Sequence, residues 1–319
     1  MPRVLITGVA GFIGSHTAEK FLQEGFQVLG IDNFDPFYPR EVKEKNLENL
    51  NGLPGFEFRQ FDFASDDFAL LGLDHVDAVV HLGAKAGVLP SLKEPQEYIR
   101  VNIHGTWRML DFMKSIGCKK LVFASSSSIY GNNPVPFEEN ADVSQPISPY
   151  AFSKKSCELL THTYYSLYKI DVLNLRFFTV FGERQRPDLA IHKFVKAILK
   201  GEPITLYGNG ETSRDYTYVM DTVDGIFKAF QYLASNEGVF ENINLGNRNP
   251  VSLLEMVNTI EKVLGIAPEL RFAEAQAGDV DRTFASIEKA EKLLGYSPKT
   301  SFEEGVRHFA NWYKQQANS

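Results

Sequence analysis

The N-terminal stretch constrains the fold of this chain most strongly, because it joins an apolar run to a glycine-rich turn and a helix. Val4–Thr7 is apolar, glycine follows at positions 8, 11 and 14, and helical apolar spacing then runs from Ser15 to Glu24. A strand, a glycine turn and a helix in this order are typical of a phosphate-binding loop, since backbone N–H groups and the helix N-terminus can approach a pyrophosphate. The residues expected to make these contacts are Gly8, Gly11, Phe12, Ile13 and Gly14.

The second predicted strand, Phe26–Asp32, ends in an acid about twenty residues beyond the glycine loop. A carboxylate at this place accepts hydrogen bonds from an adenosine ribose and repels a 2′-phosphate. Arg40, further along the loop, is a weak signal in favour of NADP. The pattern therefore predicts NAD, and not NADP, as the cofactor.

Three further apolar runs, at residues 56–63, 77–84 and 120–124, alternate with helical patterns at 94–117 and 149–168. Repeated strand–helix units predict a Rossmann-type, doubly wound parallel sheet. Ligands of such sheets bind beyond the carboxyl ends of the strands. The additional candidate cofactor-binding residues at these ends are Asn33, Asp62, Phe63, Leu82 and Ala84.

The strand–helix rhythm changes near residue 174. Residues 174–182 are predicted to form the last strand of the sheet, and segments containing Pro and Gly then alternate with short strands and helices. We expect an NAD-binding domain at 1–180 that also carries the catalytic residues. Residues 181–319 are expected to form a smaller C-terminal substrate-binding α/β lobe, partly interleaved with the first domain.

Tyr150 and Lys154 are candidate proton-transfer residues. Ser148 and Pro149 are suited to the N-cap and first position of a helix, so the phenol and the ammonium fall at i and i+4 on one face. A nearby cation stabilises a phenolate and would lower the pKa of Tyr150 toward working pH, which favours a general base. The same spacing at residues 165 and 169 is interpreted as a solvated helix face.

Composition limits the possible partners and compartment. The chain has 319 residues and a net charge of −7, with no pronounced basic run, which argues against nucleic acid or an anionic membrane as partners. Two cysteines, Cys118 and Cys157, lack metal-site spacing and are typical of a reducing compartment. No apolar run approaches the ~20 residues of a membrane span. We expect a cytoplasmic protein without a metal site.

Three motifs together resemble the extended short-chain dehydrogenase/reductase family: the glycine loop, the serine run that ends at Tyr130-Gly131, and Tyr150-x-x-x-Lys154. Segments 208–216 and 278–280 resemble the sugar-nucleotide members, so the likeness covers nearly the whole chain. Such members use bound NAD to oxidise a nucleotide-linked sugar transiently at C4. The resemblance implies that Ser126, Tyr150 and Lys154 are catalytic, and that Tyr150 and Lys154 also contact the cofactor.

The serine run indicates the fate of the 4-keto intermediate. Dehydratases of this family carry Thr, Asp and Glu at this place, and decarboxylating relatives keep a Glu, whereas this chain has Ser126, Ser127 and Ser128. Without a carboxylate there, the ketone can only be reduced again, which implies a 4-epimerase. Residues 176–193 are similar to UDP-glucuronate 4-epimerases, and UDP-galactose 4-epimerases carry Asn in place of Thr179. Gln276 also resembles the uronate enzymes.

The resemblance also suggests substrate-binding residues. Lys85, Thr179, Ser127 and Ser128 are expected to hold a C5 carboxylate through hydrogen bonds. This chain departs from the uronate enzymes by having Lys85 and Leu89 where they have Gln and Arg, which moves a positive charge. The remaining candidates are cationic side chains for the diphosphate or carboxylate: Arg186, Lys193, Arg214 and Arg282.

Four functions remain open at this stage. The first is epimerisation of UDP-glucuronate to UDP-galacturonate, and its nearest rival is a UDP-glucose/UDP-galactose or N-acetylhexosamine 4-epimerase. A nucleotide-sugar reductase or dehydrogenase would consume exchangeable cofactor. A non-catalytic dinucleotide sensor would have no need of the base. In relatives, helices 94–117 and 149–168 form a four-helix interface, so we expect a homodimer.

Overall fold

The computed structural model describes residues 1–274 and 282–317. In chain order the strands are β1 Arg3–Thr7, β2 Gln27–Asp32, β3 Phe56–Gln60, β4 Ala78–His81, β5 Lys120–Ser126, β6 Asp171–Phe177, β7 Thr179–Phe181, β8 Ile204–Tyr207, β9 Ser213–Tyr218, β10 Phe240–Leu245, β11 Pro250–Ser252 and β12 Leu270–Ala273. The α-helices are α1 Phe12–Gln23, α2 Arg40–Glu48, α3 Val88–Lys93, α4 Pro95–Tyr98, α5 Gly105–Ser115, α6 Pro149–Tyr168, α7 Ala190–Leu199, α8 Val219–Ser235, α9 Leu253–Leu264, α10 Glu288–Leu294 and α11 Phe302–Ala317.

A seven-stranded parallel sheet forms the larger part of the molecule, in the order β10-β6-β5-β4-β1-β2-β3. The strand order reverses direction at β1, so the chain winds outward to both sides of this strand. Crevices open beyond the carboxyl ends of neighbouring strands at such a reversal. The predicted doubly wound Rossmann-type sheet is confirmed.

Each face of the sheet carries its own core. Val4 and Ile6 of β1 join the cluster that includes residues of α1 and α8, whereas Leu5 joins the cluster on α5 and α6. Successive side chains of a strand point to opposite faces. The continuous apolar runs of these strands therefore follow from burial on both sides.

The helical stretch between β4 and β5 is interrupted where a single helix was expected over residues 94–117. α3 precedes it, and the π-helical segment Ile99–His104 joins α4 to α5. π-helical turns often occur at functional sites. Asn102, within this segment, is directed into the protein and is buried.

A smaller lobe is built around two short sheets, β11-β9-β7 and β12-β8. Its apolar core includes residues of α7, α9 and α11 packed against β7 and β9. A capping box at Ser252 and Glu255 begins α9, as the side chain of each residue bonds the backbone N–H of the other. This lobe faces the carboxyl ends of the large sheet through β7 and the residues that follow it.

The expectation of one last strand at residues 174–182 is wrong. β6 ends at Phe177 in the large sheet, and β7 starts at Thr179 and pairs with β9 in the small lobe. An apolar run contains no information on which partner strand each half will find. The last strand of the large sheet is β10, which pairs in parallel with β6 from far along the chain.

Residues beyond 180 therefore help to build the larger part. β10 completes the sheet, and α8 packs against α1 and β5. The assignment of 1–180 to NAD and of 181–319 to substrate remains a prediction about binding. Among the helices in residues 1–274 and 282–317, none pairs sufficient length with sufficient apolar character to span a bilayer.

Candidate active site

Tyr150 and Lys154 lie in the first two turns of α6. The side chain of Ser148 caps this helix by accepting a backbone N–H of the first turn at 3.1 Å. Both side chains line a cavity of about 370 Å³, and Ser126, the last residue of β5, lines it too. The three candidate catalytic residues are thus brought to one cavity.

Burial dominates the ionisation of the pair. It raises the pKa of Tyr150 above the ordinary value of 10, while hydrogen bonding to Ser126 and the charge of Arg186 act in the opposite direction. Burial also lowers the pKa of Lys154 from 10.5 to about 8. The ammonium donates to the carbonyl oxygen of Ala124 at 2.7 Å. Burial therefore opposes the lowering of the Tyr150 pKa that was expected, because desolvation of the phenol is the largest effect.

The glycine loop forms the opposite part of the cavity wall. Gly8 has a φ of +70°, where residues with a Cβ are strained. A Cβ at Gly14 would lie 2.0 Å from the carbonyl oxygen of Gly8, so α1 can approach the loop this closely only because residue 14 is glycine. The absence of side chains at these glycines lets the turn and the start of α1 pack tightly, as a phosphate-binding loop requires. All five loop residues predicted to bind cofactor line the cavity: Gly8, Gly11, Phe12, Ile13 and Gly14.

Asp32 lines the cavity at the end of β2, and its carboxylate is held by the surrounding backbone. It accepts the N–H of Ala10 at 3.2 Å and that of Phe34 at 2.8 Å, and Lys43 Nζ lies 3.7 Å away. Burial nevertheless raises the pKa of Asp32, with Lys43 and the two N–H groups acting in the opposite direction. These contacts fix the carboxylate where a ribose hydroxyl could donate to it.

The segment between β2 and α2 supplies wall residues that sequence reasoning missed. Asn33 was predicted and lines the cavity, but so do Asp35, Phe37 and Tyr38, and Lys43 of α2. The only available signal was an aromatic-rich run, DNFDPFY, at a strand end. Such a run has no periodicity from which its orientation could be deduced.

The middle strands contribute mostly as expected. Phe63, Leu82 and Ala84 line the cavity, at the ends of β3 and β4. Asp62 is not part of this lining, and its Oδ1 accepts the N–H of Ala64 at 2.8 Å. Its assignment as a cofactor-binding residue therefore remains a prediction, which the lining of the cavity does not support.

Three of the candidate substrate residues line the same cavity, namely Lys85, Thr179 and Arg186. Lys85 Nζ lies 3.0 Å from Asp35, and Arg186 forms two hydrogen bonds to Asp188 at 3.0 and 2.9 Å. Both cations are therefore paired with carboxylates of the chain itself.

The other candidate substrate residues lie outside the lining of this cavity: Ser127, Ser128, Lys193, Arg214 and Arg282. Ser127 and Ser128 start a 3₁₀ turn directly after Ser126, and Ser128 Oγ is buried without a hydrogen-bond partner among the described residues. Arg214 donates to the carbonyl of Ser213 at 2.8 Å, and the guanidinium of Arg282 lies over the ring of Phe284. Gln276 falls outside the described residues.

Asn102 connects Lys85 to the helix that carries Tyr150. Its amide accepts the Lys85 N–H at 2.8 Å, donates to the Lys85 carbonyl at 3.0 Å and donates to Ser153 Oγ at 2.9 Å. Ser153 Oγ in turn donates to the carbonyl oxygen of Tyr150 at 2.8 Å. The backbone on both sides of the cavity is thus fixed by one buried amide.

A buried ion pair behind α6 was not predicted from the sequence. Glu158 of α6 accepts two hydrogen bonds from Arg176 of β6, each of 2.9 Å, and one from Ser125 at 2.7 Å. The two charged side chains are only 2% and 1% exposed. The pair fixes α6 against β6, and the bond from Ser125 ties α6 to β5.

The family of the chain follows from a comparison of its sequence with family profiles. The profile described as GDP-mannose 4,6 dehydratase matches residues 5–309, nearly the full length. The chain belongs to the GDP-mannose 4,6-dehydratase family. Membership agrees with the parallel sheet and with the glycine loop at its centre.

Proteins that are similar to this chain over nearly its full length include an uncharacterized protein and UDP-glucuronate 4-epimerases. An uncharacterized protein of Methanocaldococcus jannaschii is 44% identical, with 97% of this chain and 95% of that protein covered. The UDP-glucuronate 4-epimerase of Thermodesulfobacterium geofontis is 40% identical over 98% of this chain and 96% of its own. A crystal structure of UDP-glucuronic acid 4-epimerase from Bacillus cereus, in complex with UDP-glucuronic acid and NAD, superposes with a TM-score of 0.93 at 35% identity, covering 98% and 99% of the two chains.

Proposed function

We propose that this protein is an NAD-dependent isomerase, a 4-epimerase that converts UDP-glucuronate to UDP-galacturonate through a transient 4-keto sugar. The observation that carries the proposal is that Ser126, Tyr150 and Lys154 share one cavity with the glycine loop. The similarity to proteins named UDP-glucuronate 4-epimerase supports the choice of reaction. The absence of carboxylates at positions 127 and 128 argues against dehydration.

The residues present fit NAD. The cavity wall formed by Gly8, Gly11 and Gly14 suits a pyrophosphate, and Asp32 at the end of β2 suits an adenosine ribose without a 2′-phosphate. Asn33, Phe63, Leu82 and Ala84 would surround the remainder, and Asp62 lies near the same strand ends. Bound NAD would supply the hydride acceptor for oxidation at C4 and the hydride donor for reduction.

Proton movement is assigned to Tyr150. Its phenolate oxygen removes the proton of the sugar 4-hydroxyl, and the phenol returns that proton when the ketone is reduced. Ser126 donates a hydrogen bond to the same sugar oxygen and stabilises its developing negative charge. The Lys154 ammonium provides positive charge near the phenolate. Because the ketone must accept hydride on its other face, the hexose has to turn within the cavity.

We assign the binding of the uronate carboxylate to Lys85 and Thr179, together with Ser127 and Ser128. Lys85 and Thr179 line the cavity, which supports this assignment. Four cationic side chains are assigned to bind the diphosphate or the carboxylate of the substrate: Arg186, Lys193, Arg214 and Arg282.

We also propose that the protein acts as a homodimer in the cytoplasm. Trp107 of α5 and Phe152, Leu159 and Leu167 of α6 are exposed, and apolar side chains on neighbouring helices suit a shared interface. The two cysteines, Cys118 and Cys157, are free thiols, which suits a reducing compartment.

The decisive test is NMR-monitored turnover of UDP-glucuronate and UDP-glucose side by side, by purified protein with NAD. We expect only UDP-glucuronate to be converted to its galacto epimer, with no net reduction of cofactor. Conversion of only UDP-glucose would favour the neutral-sugar epimerase. Stoichiometric consumption of reduced cofactor would identify a reductase, and inertness toward both sugars with tight NAD binding would favour a sensor.

Tyr150→Phe tests the assigned base. This variant should lose at least about 10³-fold in turnover while still binding NAD, because the phenyl ring keeps the packing but cannot accept the proton. Tyr165→Phe is the matched control, since Tyr165 has lysine at the same spacing but its hydroxyl donates to the Gly238 carbonyl at the surface. Activity retained by Tyr150→Phe would contradict the assignment.

A further inference from the structure

The ion pair between Lys85 and Asp35 lies in the wall of the cavity. Lys85 follows β4 and Asp35 follows β2, so the pair joins two different elements. Lys85 Nζ lies 3.0 Å from each carboxylate oxygen of Asp35. The side chains of Lys85 and Asp35 are only 14% and 23% exposed. The charge of this lysine is therefore already matched before any ligand carboxylate arrives.

Both partners are held in place by their surroundings. Asn102 fixes the backbone of Lys85 through two hydrogen bonds. Asp35 donates its own N–H to Asn33 Oδ1 at 2.9 Å and accepts the N–H of Phe37 at 3.0 Å. A new partner for Lys85 must therefore be gained by rotation of the lysine side chain, while Asp35 stays where it is.

The second cation of the wall, Arg186, is arranged differently. Its carboxylate partner Asp188 lies two residues further along the same segment and is not part of the cavity lining. Asp35, in contrast, is part of that lining. A ligand carboxylate that approaches Lys85 would meet the negative charge of Asp35 beside the same ammonium.

We propose that Asp35 is a specificity-determining residue, which occupies Lys85 and thereby weakens the binding of nucleotide sugars with a carboxylate relative to those with a neutral hexose. This inference rests on the proposed function, because it places the hexose of a UDP-sugar beside Lys85. Two carboxylates that share one partly buried ammonium repel each other more than they would in water. The preference of the site for uronates is therefore lower with Asp35 present than it would be with Lys85 unpaired.

Binding measurements on the NAD-bound protein test this directly. Tyr150→Phe provides the background, so that neither UDP-glucuronate nor UDP-glucose is converted during isothermal titration calorimetry. Adding Asp35→Asn should raise the affinity for UDP-glucuronate about five-fold and leave the affinity for UDP-glucose nearly unchanged, because only UDP-glucuronate carries the extra charge. The asparagine side-chain oxygen can still accept the Phe37 N–H, so the segment should keep its shape.

Asp224→Asn is the matched control for net charge, because Asp224 pairs with Lys228 on the exposed side of α8. It should change neither affinity. Lys85→Gln should have the opposite effect to Asp35→Asn, because it leaves the charge of Asp35 without its partner in the cavity wall. It should therefore lower the affinity for UDP-glucuronate more than the affinity for UDP-glucose. Normal binding of UDP-glucuronate by this second variant would contradict the role of Asp35 even if Asp35→Asn fails to fold.

The outcomes separate the two proposals. An unchanged ratio of the two affinities in Asp35→Asn, or an equal change for both sugars, would overturn the role of Asp35 while leaving the epimerase proposal intact. A Lys85→Gln variant that binds UDP-glucuronate normally would do the same. Failure of the parent protein to bind either nucleotide sugar would overturn both proposals.

Discussion

At the scale of single residues, the buried ammonium of Lys154 links stability to the proposed chemistry. The pKa of Lys154 falls from 10.5 to about 8 on burial, so the folded protein at pH 7 carries this charge at a cost of about 3 kcal/mol. The unfolded chain binds more protons than the folded one between pH 8 and 10.5, so the stability contributed by this group rises through that window. Below pH 8 the full cost applies.

We therefore predict that Lys154→Met stabilises the protein at pH 7 by about 1–2 kcal/mol, less than the full cost because the Ala124 carbonyl loses its partner. The gain should disappear at pH 10.5, where the wild-type lysine is neutral in the folded state. Urea unfolding at the two pH values measures both effects. Lys155→Met, which removes a partly exposed ammonium one residue along, should not stabilise. A gain that persists at pH 10.5 would contradict the explanation.

Local patterns in the sequence were sufficient for the residues whose role depends on their immediate neighbours. Gly8 and Gly14 are defined by a turn within seven residues, and Tyr150 and Lys154 by their spacing on a capped helix. Their common cavity was predicted because parallel strands bring their carboxyl ends together. Asp35 had no such signal, since its partner Lys85 is fifty residues away in the chain.

At the scale of elements, the Glu158–Arg176 pair fixes α6 to β6. Removing one member leaves a buried charge without its partner, so Glu158→Leu alone should cost about 3–5 kcal/mol of unfolding free energy. The double variant with Arg176→Met should cost less than Glu158→Leu alone, because no buried charge remains. Equilibrium denaturation of the single and double variants measures this difference.

An exposed pair is the matched control for that cycle. Glu44 pairs with Arg40 one helical turn away on α2, and both side chains are about half exposed. Glu44→Leu should therefore cost at most about 0.5 kcal/mol. A double variant at the buried site that is less stable than Glu158→Leu would show that the ion pair itself stabilises the protein.

Elements that depend on distant partners were beyond local patterns. The apolar run at 174–182 divides at Phe178 because its two halves pair with different sheets. β10 has no feature that assigns it to β6 in place of a strand in its own half of the chain. The positions of β6, β7 and β10 depend on which strand edges are free to pair, and this is a property of the assembled sheet.

At the scale of the whole molecule, the proposed homodimer predicts that one exposed apolar position controls assembly. Leu159 of α6 is 59% exposed, and a glutamate there would place a charge in the proposed interface. Leu159→Glu should convert a dimer to a monomer in sedimentation velocity. Leu53→Glu, at an exposed position in the loop before β3, should not. A wild-type protein that sediments as a monomer would contradict the proposal.

The pairing of β10 with β6 also determines when the large sheet can be completed during synthesis. β6 leaves the ribosome with one side unpaired, and the strand that covers it is made more than sixty residues later. At about 5–20 residues per second, this interval lasts about 3–13 s. Throughout that interval the backbone N–H and C=O groups along one edge of Asp171–Phe177 have no partner strand. A pause in translation would lengthen the time available for aggregation or for capture by a chaperone.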